Sequence, residues 1–163
     1  MTASLNAVII GAGPHGRRVA QALASRPDLS RLTVVDTNPT ALTHKDVPAA
    51  AERLTDLGDA LATAPDLLCI ATNGPSHMKL AIRALEAGVQ RLMVSKPFAC
   101  SVAECQQILG AAERANARIA VDHIRRLHPT YRHLRDQVAS GRWGVPRAPW
   151  CWSACARGRA GRH

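Results

Sequence analysis

Residues 5–20 read LNAVIIGAGPHGRRVA, and this stretch decides the fold. Leu5–Ile10 is apolar throughout except for Asn6, the composition of a strand covered on both faces. Gly11, Gly13 and Gly16 follow at G-x-G-x-x-G spacing, and a helical pattern opens at once, with Val19 and Leu23 among small alanines. Gly11 suits a tight turn, Gly13 lets a diphosphate approach the backbone, and Gly16 lets helix and strand pack closely. Pro14 falls at the first helical position, where its missing N–H costs nothing. The remaining first-turn amides would face a phosphate with the helix dipole behind them. His15 is expected to give only its backbone N–H, its ring lying over the phosphates or in solvent. Asp36 comes twenty residues after Gly16 and closes the next apolar run, Leu32–Val35. A carboxylate there accepts hydrogen bonds from an adenosine ribose and repels a 2′-phosphate, and no arginine follows it immediately. The reading is a dinucleotide site for NAD rather than NADP.

Outward from this stretch, apolar runs and helical patterns alternate. A helix over Pro14–Ser25 ends at Arg26-Pro27, and residues 37–50, with Pro39 and Pro48, read as loop. Leu67–Ala71 is the next strand. Pro75–Ala87 is a helix with Met78, Ala81, Ile82 and Leu85 at helical spacing and Gly88 at its C-terminal cap. Leu92–Val94 and Ile119–Val121 are short strands. Between them Ser101-Val-Ala-Glu104 is a capping box, opening a helix whose inward face is read as Val102, Cys105, Ile108, Leu109 and Ala112. Pro129–Ala139 is a last helix with Tyr131, Leu134 and Val138 inward, ended by Gly141. Strands alternating with helices at this spacing imply parallel strands joined by right-handed crossovers. The predicted fold is α/β, a doubly wound parallel sheet (Rossmann) of about five or six strands with helices on both faces. In such sheets ligands bind beyond the carboxyl ends of the strands. Gly11, Asp36, Thr72-Asn73, Ser95-Lys96-Pro97 and Asp122-His123 all collect at that edge.

The chain of 163 residues is 47% apolar and 20% charged, enough for one globular domain with a buried core. Its net charge of +9 is unevenly spread. Residues 1–113 hold ten basic and ten acidic side chains; residues 114–163 hold eleven arginines against Asp122 and Asp136. A nucleic-acid protein basic throughout is thereby excluded. No apolar run reaches the roughly 18 residues of a membrane helix, and no secretory leader opens the chain, so membrane association is not expected. Five cysteines without paired zinc spacing read as small buried thiols, with no metal site, in a reducing cytoplasmic setting. His123, His128 and His133 recur every five residues, which does not stack them as ligands on one helical face. Asp122 is either a general base or a strand-end carboxylate bonded to backbone amides.

Several of these residues, in order, resemble the Gfo/Idh/MocA oxidoreductases, relatives of glucose–fructose oxidoreductase and inositol dehydrogenase. They are Ala71-Thr72-Asn73 with His77, Ala87-Gly88, Ser95-Lys96-Pro97, His123, Arg126-Leu-His-Pro129 and Gly141-Arg-Trp-Gly144. The resemblance spans about residues 4 to 148. It implies a nicotinamide-dependent oxidoreductase acting on a sugar, cyclitol or similar polyol. It also implies cofactor contacts from Ala71, Thr72, Asn73, His77, Lys96, Pro97 and His123, and a catalytic role for Lys96, which matches the Lys of the family's Glu-Lys-Pro motif. A cation there polarises a carbonyl or stabilises a developing alkoxide. Ser95 stands where the family has Glu, which removes a carboxylate beside Lys96.

The expected organisation is a dinucleotide-binding domain over residues 1–148 and an irregular basic tail over 149–163, with the family's second, substrate-covering domain absent. The tail carries Trp150 and Trp152 together with Arg157, Arg159 and Arg162, a combination weighed as a single-stranded nucleic-acid binder and set aside for an irregular end. An uncovered domain is expected to self-associate or dock to another subunit. A non-catalytic dinucleotide-binding module is the alternative to an active enzyme.

Overall fold

The computed structural model describes residues 4–145 and 147. Residues up to His123 form one compact unit and those from Ile124 another. In the first, β1 (Leu5–Ile10) is central, with β2 (Leu29–Val35) on one side and β4 (Leu67–Ile70) on the other, both parallel to it. β3 (Glu52–Leu54), β5 (Arg91–Val94) and β6 (Arg118–Val121) complete a six-stranded parallel sheet in the order β3-β2-β1-β4-β5-β6. Strand order reverses between β1 and β4, and that switch point opens a crevice at the carboxyl edge.

The unbroken apolar character of β1 follows from burial on both faces. Val8 and Ile10 point into one core with Leu68 and Ile70, while Ala7 and Ile9 point into a second with Val34 and Cys69. Helix α1 (Pro14–Ala24) packs Ala20 into the second core. Helices α4 (Gly74–Glu86) and α5 (Val102–Arg114) pack Ala81, Ala84, Leu85, Ile108, Ala111 and Ala112 into the first. Complete burial of a side chain such as Ile9 or Leu68 is worth roughly 1.5–3 kcal/mol, so the central strands hold the edge loops rigidly.

Residues 37–50 are not all loop, and the next stretch adds two short elements. Asn38 caps one helical turn, α2 (Pro39–Leu42), by accepting from the Thr40 amide. β3 is three residues long, with Glu52 and Arg53 exposed and only Leu54 packed against the core, and α3 (Leu57–Leu61) is a single turn capped by Asp56. Elements this short carry no hydrophobic period. β2 likewise begins at Leu29 rather than Leu32, through exposed Ser30 and Arg31. In α5 the capping box forms, with Ser101 Oγ accepting from the Glu104 amide at 3.1 Å. Its inward face, however, centres on Ile108, Ala111 and Ala112. Val102 (74% exposed) and Leu109 (55%) point outward, because Leu109 sits a full residue step around the helix from buried Ile108.

The second unit contains a helical turn, α6 (Ile124–Leu127), and α7 (Pro129–Ala139). α7 runs over the expected span, and Gly141 adopts φ +72° just beyond it. Tyr131, Leu134 and Val138 do not face a core: all three are exposed. The expected basic tail, 149–163, lies outside the described residues, as do Trp150 and Trp152. No helix among the described residues is long and apolar enough to cross a membrane.

Candidate functional site

The loop between β1 and α1 is built by steric necessity. Gly11 has φ +101°, and a Cβ there would stand 2.6 Å from the Ala71 carbonyl oxygen. A Cβ on Gly16 would overlap the Gly11 carbonyl oxygen, so the helix lies directly on the turn. Gly13 differs, since nothing lies within 4 Å of where its Cβ would be. It is the N-cap of α1 and offers no side chain to the helix; Pro14 occupies the first turn, and the His15 and Gly16 amides find no partner among the described residues. An uncapped helix end behind open space fits a diphosphate.

Asp36 does more than end β2. Its Oδ2 accepts the Ala12 amide at 2.7 Å and its Oδ1 accepts the Asn38 amide at 2.9 Å. The carboxylate therefore ties the glycine loop to the neighbouring strand, and each oxygen keeps lone-pair capacity for a ligand hydroxyl. Arg17 Nη1 secures the other side of the loop, donating to the Ala12 carbonyl at 2.7 Å.

Across the switch point, Ala71 continues β4 by donating its N–H to the Ile10 carbonyl at 2.8 Å. The Thr72 and Ser76 hydroxyls are 2.7 Å apart, and exposed Asn73 is the N-cap of α4 without a side-chain cap bond. His77 was expected to touch cofactor, but its ring is wholly buried. Nδ1 lies 2.8 Å from the Pro97 carbonyl oxygen and Nε2 3.1 Å from that of Thr72, so the ring spans the two loops from below. Its influence is on loop position, because a 0% exposed ring has no face left for a ligand. Buried Ser95, in the position the family fills with Glu, turns its hydroxyl to His77 Nε2 at 3.4 Å rather than serving Lys96. Lys96 is exposed at the head of a cis peptide to Pro97, and among the described residues it has no ion-pair partner. Gly74, unnoticed in the sequence, lets this turn dock, since a Cβ there would meet the Pro97 ring at 3.1 Å.

At the end of β6 the structure corrects two expectations. The His15 ring does not lie free in solvent: Nε2 is 2.8 Å from Asp122 Oδ2, the imidazole being 39% and the carboxylate 14% exposed. Asp122 is accordingly held by a side chain rather than by backbone amides. His123 is exposed next to it, with no side-chain hydrogen bond among the described residues. Cys69, on β4 below, has its thiol pushed up to about 12, mainly by burial and further by the Asp122 charge. Cys105 is partly buried, but Cys100 is exposed, contrary to the reading of uniformly buried thiols.

Residues 5–123 match the NAD-binding Rossmann fold of an oxidoreductase family, GFO_IDH_MocA. The chain belongs to the Gfo/Idh/MocA family. Among curated Gfo/Idh/MocA-like relatives, UDP-N-acetylglucosamine 3-dehydrogenase of Acidithiobacillus ferrooxidans is 32% identical over 142 residues, 85% of this chain and 42% of the relative. Inositol 2-dehydrogenase of Corynebacterium glutamicum is 29% identical over 88% of this chain and 44% of its own length. The chain thus spans less than half of these relatives. The WlbA dehydrogenase from Bordetella pertussis, solved in complex with NADH and UDP-GlcNAcA, superposes with a TM-score of 0.76 at 26% identity, covering 85% of this chain and 43% of WlbA. GenD2 from gentamicin A biosynthesis, solved with NAD, shares the fold, with a TM-score of 0.81 at 24% identity over 87% of this chain and 41% of its own.

Proposed function

We propose that this chain is the cofactor-binding part of an NAD-dependent oxidoreductase that moves a hydride between nicotinamide and a sugar, cyclitol or similar polyol. The observation that carries the reading is the open amide cradle at Gly13, His15 and Gly16, with Asp36 pinned against it. The cradle takes the diphosphate, and Asp36 takes the adenosine ribose. Its negative charge disfavours a 2′-phosphate, which favours NAD over NADP. Ala71, Thr72, Asn73, Pro97 and His123 border the other half, around Lys96. Bound nicotinamide supplies the hydride acceptor or donor. The Lys96 ammonium, solvent-facing and without an ion-pair partner among the described residues, is available to polarise a substrate carbonyl or hold a developing alkoxide. The same lack of a carboxylate partner favours a second reading, a module that binds dinucleotide without turnover.

Titration calorimetry with NADH and NADPH tests the first claim, with tighter NADH binding expected. Consumption of NADH with carbonyl forms of polyols, lost in Lys96→Ala, supports hydride transfer. Binding without any such consumption favours the module.

A further inference from the structure

β1 and β6 are separated in the sheet by β4 and β5, about 14 Å at ordinary strand spacing. His15 stands in the first turn of α1, just after β1, and Asp122 directly follows β6, its N–H donating to the Val94 carbonyl of β5 at 2.9 Å. A 2.8 Å contact between them therefore crosses the ends of β4 and β5, where Thr72 and Lys96 emerge. The Asp122 charge is felt at Cys69 on β4, as expected if the carboxylate leans back across β5. Asp36 lies on the opposite side of the diphosphate cradle, toward β2. If it holds the adenosine ribose, the rest of the dinucleotide runs toward β4–β6, under the same bridge. A carboxylate only accepts, so the Nε2 proton of His15 points to Asp122 and fixes the ring plane.

We propose that Asp122 is a positioning residue of the dinucleotide site, pinning the His15 imidazole across the ends of β4 and β5 as a fixed wall of the nicotinamide half. The inference rests on the cofactor-binding reading above. It assigns roles to a side chain expected to contribute only its N–H and to a carboxylate open between two other uses.

The test compares the binding of NADH and of ADP-ribose, which lacks the nicotinamide, to the whole chain and to Asp122→Ala and Asp122→Asn. Asp122→Ala should weaken NADH by about tenfold, the lower end of the worth of a lost hydrogen bond to a charged group, and leave ADP-ribose unchanged. Asp122→Asn keeps an oxygen acceptor and should recover most of the loss. Ring-nitrogen chemical shifts of His15 should report an Nε2 proton in the unaltered chain and a change in Asp122→Ala. Unchanged or tighter NADH binding in Asp122→Ala overturns the proposal, as does an equal loss for ADP-ribose, which would put the effect at the diphosphate. Failure of the unaltered chain to bind either ligand defeats the cofactor reading itself and is seen before any variant is made.

Discussion

Two glycines three residues apart serve one loop for opposite reasons, and alanine at each separates protein packing from ligand packing. At Gly16 the added Cβ would overlap the Gly11 carbonyl oxygen and stand 2.9 Å from its carbon. Both are backbone atoms of a turn fixed by the Ala71 carbonyl on its other side, so neither yields cheaply. Overpacking of this kind costs about 1–3 kcal/mol, and the upper part of that range applies where the obstacle is backbone. For a chain of this size the melting midpoint should fall by roughly 3–10 °C. At Gly13 the Cβ meets nothing within 4 Å and the backbone, φ −66° and ψ 176°, is ordinary for any residue. Gly13→Ala should melt with the parent chain. If a diphosphate occupies that space, however, the same 1–3 kcal/mol appears in binding, weakening NADH between about fivefold and a hundredfold. Differential scanning fluorimetry and NADH titration on the same preparations give both numbers. An unshifted midpoint for Gly16→Ala refutes the packing argument. Unaltered NADH affinity in Gly13→Ala refutes the placement of the diphosphate.

Asp36→Ala leaves the Ala12 and Asn38 amides without their acceptor; a loss of about 1–2 kcal/mol in urea unfolding is expected, with a narrower gap between NADH and NADPH affinities in calorimetry. His77→Ala removes a buried ring bonded to the Pro97 carbonyl, and thermal unfolding should register about 2–4 kcal/mol of destabilisation from the cavity and the orphaned oxygen. Alkylation by iodoacetamide at neutral pH, mapped by mass spectrometry, should label exposed Cys100 and spare Cys69, whose thiol titrates near 12, until the chain is unfolded. Hydrogen bonds from Arg31 hold the Glu52 carboxyl below its ordinary value, so this pair stabilises the fold above the usual carboxylate range and loses that contribution as pH falls through the lowered value. Both side chains are more than a third exposed, which limits the effect to under about 1 kcal/mol; urea midpoints at neutral and acid pH should differ slightly less in Arg31→Ala than in the parent.

What could be read from the sequence was whatever is local and repeated. β1, the glycine loop and α1 form one contiguous signal, and Ser101 with Glu104 marks a helix start because both partners lie within one turn. The family resemblance added Lys96 and its turn. Features set by distant chain segments were not legible. β3 is a strand only because β2 lies beside it, and its exposed Glu52 and Arg53 carry no apolar alternation. Val102 and Leu109 looked inward on helical spacing, yet the sheet admits only the stripe through Ile108, Ala111 and Ala112. His77 looked like a ligand contact because it follows a site loop, but its two carbonyl partners come from turns 25 residues apart, Thr72 and Pro97. The His15–Asp122 contact joins residues more than a hundred positions apart, and no spacing rule announces such a pair.

The central claim is that the head of α1 and the end of β2 together grip a dinucleotide. Amide chemical-shift mapping of the chain during NADH titration tests it most directly. Saturable shifts should concentrate on Ala12, Gly13, His15, Gly16 and the Asp36–Asn38 turn, extending to Thr72 and Lys96. An absence of saturable shifts, or shifts that leave the Gly11–Gly16 loop untouched, would contradict the account.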